Sequence, residues 1–455
     1  MPTHGSSTDS EPLSDIQVRQ KTPLRPANAS STIETQQQPW LGMEDPASTY
    51  TGFLIAGAND AVYGALLPYL RECYQLSYLE LSLLFLAPFV GHIFSAALGD
   101  LLQRRIGQRG ARIVHSVSRL AAFNLIAQHL AYPTIILASV LSGFANGADG
   151  AAWNTWVRNP SSFVQAAYGL GGALSSLAAT LLMSTRHGFE WFTVYYIMVG
   201  LLQNRLIQQA QDLQAILALI HLILCTRAFF SDSKRSHYSP LLPDHDSQGD
   251  MWTALFTLPH ARVSWLCISF LLVCVCIEVS LYGWLVVFAL DIRHYEPFDA
   301  GMVAVGFRLG VTLGRALLGP VTSRMGVQLS LLVSILATIA LGFLFWVVPV
   351  VQVAMVAITL QGLFLGPMVS DILVAGKILL PSQVFSSVIR LAATLGDFGA
   401  AVSPVMVGVL AQIKDIQALS PMILYLLSIL FIIWLLLPWE VLIRPQNLVS
   451  WGEGI

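Results

Sequence analysis

The sequence predicts an all-α membrane protein with twelve transmembrane helices arranged as two six-helix halves. Three observations predict it. Of 455 residues, 55% are hydrophobic and only 11% are charged; a soluble domain carries roughly 25% charged residues and needs polar groups to cover its surface. Twelve mainly apolar segments follow one another along the chain, most of them near the roughly 20 residues a helix needs to cross a bilayer. Glycines and charges also recur between the first and second half at a nearly constant spacing.

Taken in order, residues 1–48 are rich in Ser, Thr, Gln and Pro and contain no apolar core. A cleavable signal needs a basic start and an apolar run of about 7–15 residues. The stretch therefore reads as a disordered cytoplasmic tail, and the first span directs insertion. The spans fall at 50–70, 78–101, 112–130, 133–157, 163–183, 189–226, 261–290, 300–319, 327–347, 349–374, 384–411 and 419–438. The polar stretch 227–260 is the expected cytoplasmic central loop. It separates an N-terminal half, 49–226, from a C-terminal half, 261–438, and 439–455 forms a cytoplasmic tail.

Lys and Arg in the loops set the orientation. With the N-terminal tail inside, the cytoplasmic side collects Arg104, Arg105, Arg109, Arg112, Arg158, Arg227, Lys234, Arg235, Arg262, Arg315, Arg324, Lys377 and Arg444. The opposite side holds Arg71, Arg186, Arg293 and Lys414. Thirteen against four places both termini in the cytoplasm.

The halves resemble each other. Gly143 and Gly147 in span 4 match Gly362 and Gly366 in span 10 at an offset of 219, which Gly91/Gly310 and Gly107/Gly326 share. Asp60 and Glu278 differ by 218, and Gly169/Gly172 pair with Gly396/Gly399 at 227. A parallel repeat of two six-helix units is a transporter architecture.

Other classes fall away on composition. Twenty-four basic against 26 acidic residues leave no field for nucleic acid. The five cysteines, Cys73, Cys225, Cys267, Cys274 and Cys276, form neither a disulfide framework nor a zinc site. No phosphate-binding loop points to ATP drive, and no metal-spaced His/Asp cluster points to an enzyme. No cofactor is expected. A small solute, protons and the lipid bilayer are the expected partners.

The chain resembles the major facilitator transporters. Both Arg-x-Gly turns are similar to that family's gating loop: Gly99, Arg105 and Gly107 in the first copy, and Gly314, Arg315, Arg324 and Gly326 in the second. Within the family it resembles the fungal permeases of the fucose–proton-symporter-like, bypass-of-stop-codon-type branch. The segments 57–70 (GANDAVYGALLPYL), 143–157 (GFANGADGAAWNTWV), 168–173 (YGLGGA), 278–284 (EVSLYGW), 306–319 (GFRLGVTLGRALLG) and 362–367 (GLFLGP) carry the resemblance. It implies alternating access around a cavity lined by spans 1, 4, 7 and 10, with one functional acid in span 1 and one in span 4. The chain departs from the branch at Gln165, where His is usual, at Arg308, where an aromatic is usual, and at Ser370-Asp371, where Pro is usual. Span 5 also lacks the Gly-Pro-x-x-Gly-Gly motif of the antiporters.

A charge at mid-bilayer costs about 2.5–3.5 kcal/mol even on lenient scales, so intramembrane ionisable groups mark cavities or partners. Asp60 and Asp149 are the candidate proton or substrate groups, with Asn59 and Asn154 on the same spans. Glu278 is the repeat mate of Asp60. Trp284 either stacks on a substrate or anchors the membrane interface. Arg308 is expected to pair with Glu278 or Asp371, or else to hold an anionic substrate. Arg390 and Asp397 share one face of span 11 and read as structural interhelix pairs. The function expected is proton-coupled symport of a sugar-like or other small polar solute. A non-transporting sensor on the same scaffold and an efflux antiporter are the alternatives.

Span 6 is interrupted. Between apolar 189–202 and 215–225 lies QNRLIQQAQDLQ, in which eight of twelve residues are strongly polar or charged. One reading is an amphipathic extension along the membrane surface. The other is an intron read through in the gene, because joining the apolar pieces gives a normal span of about 25 residues.

Overall fold

The computed structural model describes residues 46–147, 162–184, 190–198, 260–318 and 325–439. Expectations for the tails, the central loop, the interrupted part of span 6, Asp149, Asn154 and Arg324 lie outside the described residues.

The elements run α1 (Pro46–Tyr74), α2 (Tyr78–Ala127), α3 (Tyr132–Asn146), α4 (Ser162–Ser184), α5 (His260–Asp291) and α6 (Pro297–Leu313). A π-helical turn, Gly314–Leu318, extends α6. Then come α7 (Val327–Val347), α8 (Val351–Leu365), α9 (Met368–Leu379), α10 (Ser382–Lys414) and α11 (Leu419–Leu436). Among the described residues there is no strand.

Nine helices among the described residues are long and apolar enough to cross a membrane. The last of them has a mean hydropathy of 2.4, yet only 39% of that window is buried. It leaves Tyr425, Ile432 and Leu435 uncovered, and α7 does the same with Phe343, Leu344 and Trp346. Water does not tolerate apolar surface on that scale; lipid does, provided every backbone group is paired within a helix. The protein is an integral, multi-pass membrane protein.

Two span boundaries differ from expectation. Spans 2 and 3 form one helical element, α2, where the first Arg-x-Gly motif was expected to make a turn. That element cannot be straight. Ser95 lies against Gly147, while Arg119 donates to the Oδ1 of adjacent Asn146 at 2.8 Å. Twenty-four residues of straight helix would separate the two by roughly 36 Å, so α2 folds back on itself between them. Span 10 is instead divided into α8 and α9 at Gly366-Pro367. Proline has no N–H to continue the ladder, and its ring crowds the carbonyl four residues back.

Of the second Arg-x-Gly motif, the glycine lies in non-helical backbone. Gly326 has φ +84° at the start of α7, a left-handed conformation that side chains with a Cβ avoid.

The sequence repeat reappears as repeated packing. Gly91 is pressed against the Val140 carbonyl and Phe144 N, and Gly310 against the Thr359 carbonyl and Leu363 N. Gly143 meets Pro88, and Gly362 meets Phe307. Every residue of the second set is its counterpart plus 219. Gly172 beside Gly57 is likewise mirrored by Gly399 beside Cys276. Small residues let helix backbones approach where lipid supplies no hydrophobic drive for association. The two sets meet where α1 packs on α5, α2 on α10 and α4 on α6.

Candidate functional site

The polar groups collect along these meeting helices. On α1, Asn59 is fully buried and Asp60 half-buried. Three donors converge on the Asp60 carboxylate. The Tyr168 hydroxyl donates to Oδ2 at 2.7 Å. Asn59 Nδ2 and Asn146 Nδ2 approach Oδ1 at 3.2 and 3.4 Å. Asn146 is itself held by buried Arg119. Asp60 thus ties α1 to α3 and α4, and Arg119 on α2 is linked to it through one amide. Gly57 against the Tyr168 backbone, and Gly171 against that of Leu54, bring α1 and α4 close enough for this contact.

Glu278 on α5 occupies the equivalent place in the second half and is bound differently. Arg315 Nη2 donates to its Oε2 at 2.7 Å. Arg308 Nη1 stands 3.8 Å from its Oε1. The two arginines are seven residues apart and share one face of their helix. All three side chains are at most 10% exposed. Arg308 also lies 3.7 Å from the centre of the Tyr282 ring, a cation–π contact. The guanidinium also lies close to α4, where a Cβ added at Gly172 would sit 3.5 Å from Arg308 Cζ. One carboxylate, Glu278, is shared by two guanidiniums.

Of the two expected mates for Arg308, the structure supplies Glu278. Asp371 instead accepts from the Ser330 hydroxyl at 2.8 Å on α7. Arg315, expected among the cytoplasmic loop arginines, is turned inward to Glu278 and does not serve as a loop charge. Arg105 is exposed on helical backbone. Gly99 has nothing within 4 Å of an added Cβ, so the first gating motif makes no close packing there.

Trp284 neither stands open to a solute nor lies at a lipid boundary. It is fully buried, its indole N–H donates to the Pro404 carbonyl at 3.0 Å, and it packs on the rings of Tyr78 and Phe85. It seals α5 against α2 and α10. Asp397 is exposed, although it lies in the middle of α10. Among the described side chains Asp397 makes no ion pair, and the side chain of Arg390, named with it, lies outside them.

A second cluster joins the halves at the end of α1 and α5. Arg71 Nη1 contacts Asp291 Oδ2 at 2.6 Å, and the Tyr78 hydroxyl donates to the same oxygen at 2.8 Å. The guanidinium lies 4.1 Å over the Tyr78 ring. A capping box, Ser77 with Glu80, starts α2 and fixes Tyr78 beside this pair. On the orientation expected from the loop charges, this end faces away from the cytoplasm. Beneath it, Gly64 rests on the Tyr282 carbonyl.

Asn146, Tyr168 and Tyr282 lie inside the motif segments, but their residue types alone do not mark them as partners of buried charge. A stronger signal was present: Tyr63-Gly64 and Tyr282-Gly283 repeat at 219, and Arg71 and Asp291 stand at nearly matching ends with opposite charge.

Two repeated helical halves, joined by packed glycines and by a buried layer of charge, define a membrane protein of the major facilitator fold. The chain is similar to solved structures of that fold. A D-xylose–proton symporter matches with a TM-score of 0.62 at 12% identity, covering 86% of this chain and 97% of that one. A nucleoside transporter matches with 0.62 at 13%, covering 86% and 98%. A bacterial homologue of the human lysosomal transporter Spinster, inward-facing and occupied, matches with 0.60 at 12%, covering 86% and 95%. Bypass of stop codon protein 6 of Saccharomyces cerevisiae is 21% identical over 418 residues, spanning 85% of this chain and 80% of that protein. No family model matches the chain.

Proposed function

We propose that this protein is a secondary transporter that moves a small polar solute by alternating access, driven by protons. The observation that carries the proposal is the charged layer itself. Asp60, Glu278, Arg308 and Arg315 sit on α1, α5 and the α6 rod, which pack across the junction of the two repeated halves. Ionisable groups at membrane depth are costly, and placing them where two halves rock apart gives each of them a water-facing state. The solved transporters of the same fold support the reading.

Asp60 is the coupling group in this proposal, with Asp149 as the second acid expected from span 4. A proton on Asp60 Oδ2 displaces the Tyr168 hydroxyl as donor. Protonation therefore changes a contact between α1 and α4, and α4 packs on the other half through α6. This is how one proton can bias the rocking equilibrium.

The test is flux into proteoliposomes with an inward pH gradient, compared with solute exchange at equal pH on both sides. Wild type should accumulate solute only with the gradient. Asp60→Asn should lose accumulation and keep exchange, because the amide holds shape but carries no proton. Accumulation by Asp60→Asn equal to wild type would remove it from the coupling role. Absence of any flux across a broad solute panel would count against transport.

A further inference from the structure

We propose that one edge of the Arg308 guanidinium is the anchor for a carboxylate on the transported solute, so that the substrate is a small organic acid. The proposal rests on the transporter reading and narrows its substrate class. Arg308 is 2% exposed. Its Nη1 is turned towards Glu278. Its Nε and Nη2 have no hydrogen-bond partner among the described residues. These two donors form one side of the guanidinium, with parallel N–H bonds at the spacing of two carboxylate oxygens. A buried donor left without a partner carries its full desolvation cost, and here two adjacent donors bear it together.

Among the described residues the surroundings keep the edge free. The Tyr282 ring covers one face of the guanidinium plane, and Gly172 on α4 lies against it from the other half. Glu278 cannot turn to fill the edge, because Arg315 holds its other oxygen at 2.7 Å. Glu278 is shared by two guanidiniums, so the Arg308 fork keeps an edge that an incoming carboxylate can fill. Separation of α4 from α6 would uncover the edge, and their return would cover it.

Arginine and lysine are not equivalent at such a position, because only the planar fork binds both oxygens at once. This gives a test that needs no knowledge of the natural solute. Acetate, lactate and lactamide are added to the purified full-length protein in detergent at constant ionic strength, and the thermal midpoint is followed. Acetate and lactate should raise the midpoint of wild type relative to chloride, and lactamide should not. Arg308→Gln should abolish the shift. Arg308→Lys, which keeps the charge beside Glu278, should weaken lactate binding by about 10-fold or more, the worth of a lost charge-assisted bond. Inorganic phosphate and glycerol phosphate form a separate arm, and stabilisation by these alone would overturn the carboxylate assignment. No shift by acetate or lactate in wild type, an equal shift by lactamide, or a shift that survives Arg308→Gln would each overturn the proposal. Flux distinguishes the two levels: Arg308-dependent lactate binding without transport of any solute would leave the anion site standing and remove the carrier.

Discussion

The contact of Arg71 with Asp291 allows a quantitative test of rocking. It joins α1 of one half to α5 of the other, so it stabilises only the state in which this end is closed. Asp291→Asn removes the charge while keeping an oxygen for Tyr78. The pair is 36% and 33% exposed, and ion pairs at that exposure contribute about 0.2–1 kcal/mol. The Tyr78 hydroxyl donates to the same Oδ2 at 2.8 Å; weakening this second, charge-assisted bond adds about 1 kcal/mol. The sum, about 1–2 kcal/mol, shifts the balance of closed to open at this end by roughly 5–30-fold. Spin labels at Glu72 and Glu296, exposed positions at this end in opposite halves, read the shift as a distance distribution, with exposed Cys73 replaced by Ser. Asp291→Asn should enlarge the long-distance population, and Arg71→Asp combined with Asp291→Arg should restore the short one. High salt should mimic part of the effect in wild type, because surface pairs are screened. A distribution unchanged by Asp291→Asn would refute the assignment of this cluster as a latch.

Other expectations follow from individual contacts. Glu278→Gln leaves two buried guanidiniums without a counter-charge and should cost about 3–5 kcal/mol of stability, visible as a large drop in thermal midpoint in detergent; Arg315→Met should cost less than Glu278→Gln. Gly91→Val and Gly310→Val each drive a side chain into a neighbouring carbonyl and should reduce folded yield alike, whereas Gly99→Ala, with nothing within 4 Å, should be neutral on size-exclusion profiles. Gly326→Ala forces a Cβ onto φ +84° and should cost about 1 kcal/mol. Deletion of 203–214 should be tolerated better than deletion of any twelve residues in span 4, and a transcript lacking those codons would establish the intron reading.

What the sequence made legible, and what it hid, follows from how each contact is encoded. The glycine positions were readable because both copies are retained: Gly91 against the backbone of Phe144 and Gly310 against that of Leu363 leave the same spacing twice. Asp60 and Glu278 were found because charge inside apolar sequence is costly and so conspicuous. Their partners were not found, because a tyrosine in a membrane helix is unremarkable until the fold brings Tyr168 to Asp60 or Tyr282 to Arg308. Trp284 misled because an indole near a motif reads equally as a binding surface, and only its bond to Pro404, 120 positions along, shows that it is packing. Arg315 misled for a related reason. Counting loop arginines takes a residue near a span end as exposed, but seven positions after Arg308 the helix turns it back to the face that Glu278 occupies. That seven-residue spacing is the signal, since two turns of helix return a side chain to nearly the same side. The same two residues then explain each other. Arg315 holds Glu278 at 2.7 Å while Arg308 reaches it only through Nη1 at 3.8 Å, and among the described residues nothing pairs with the Nε and Nη2 edge.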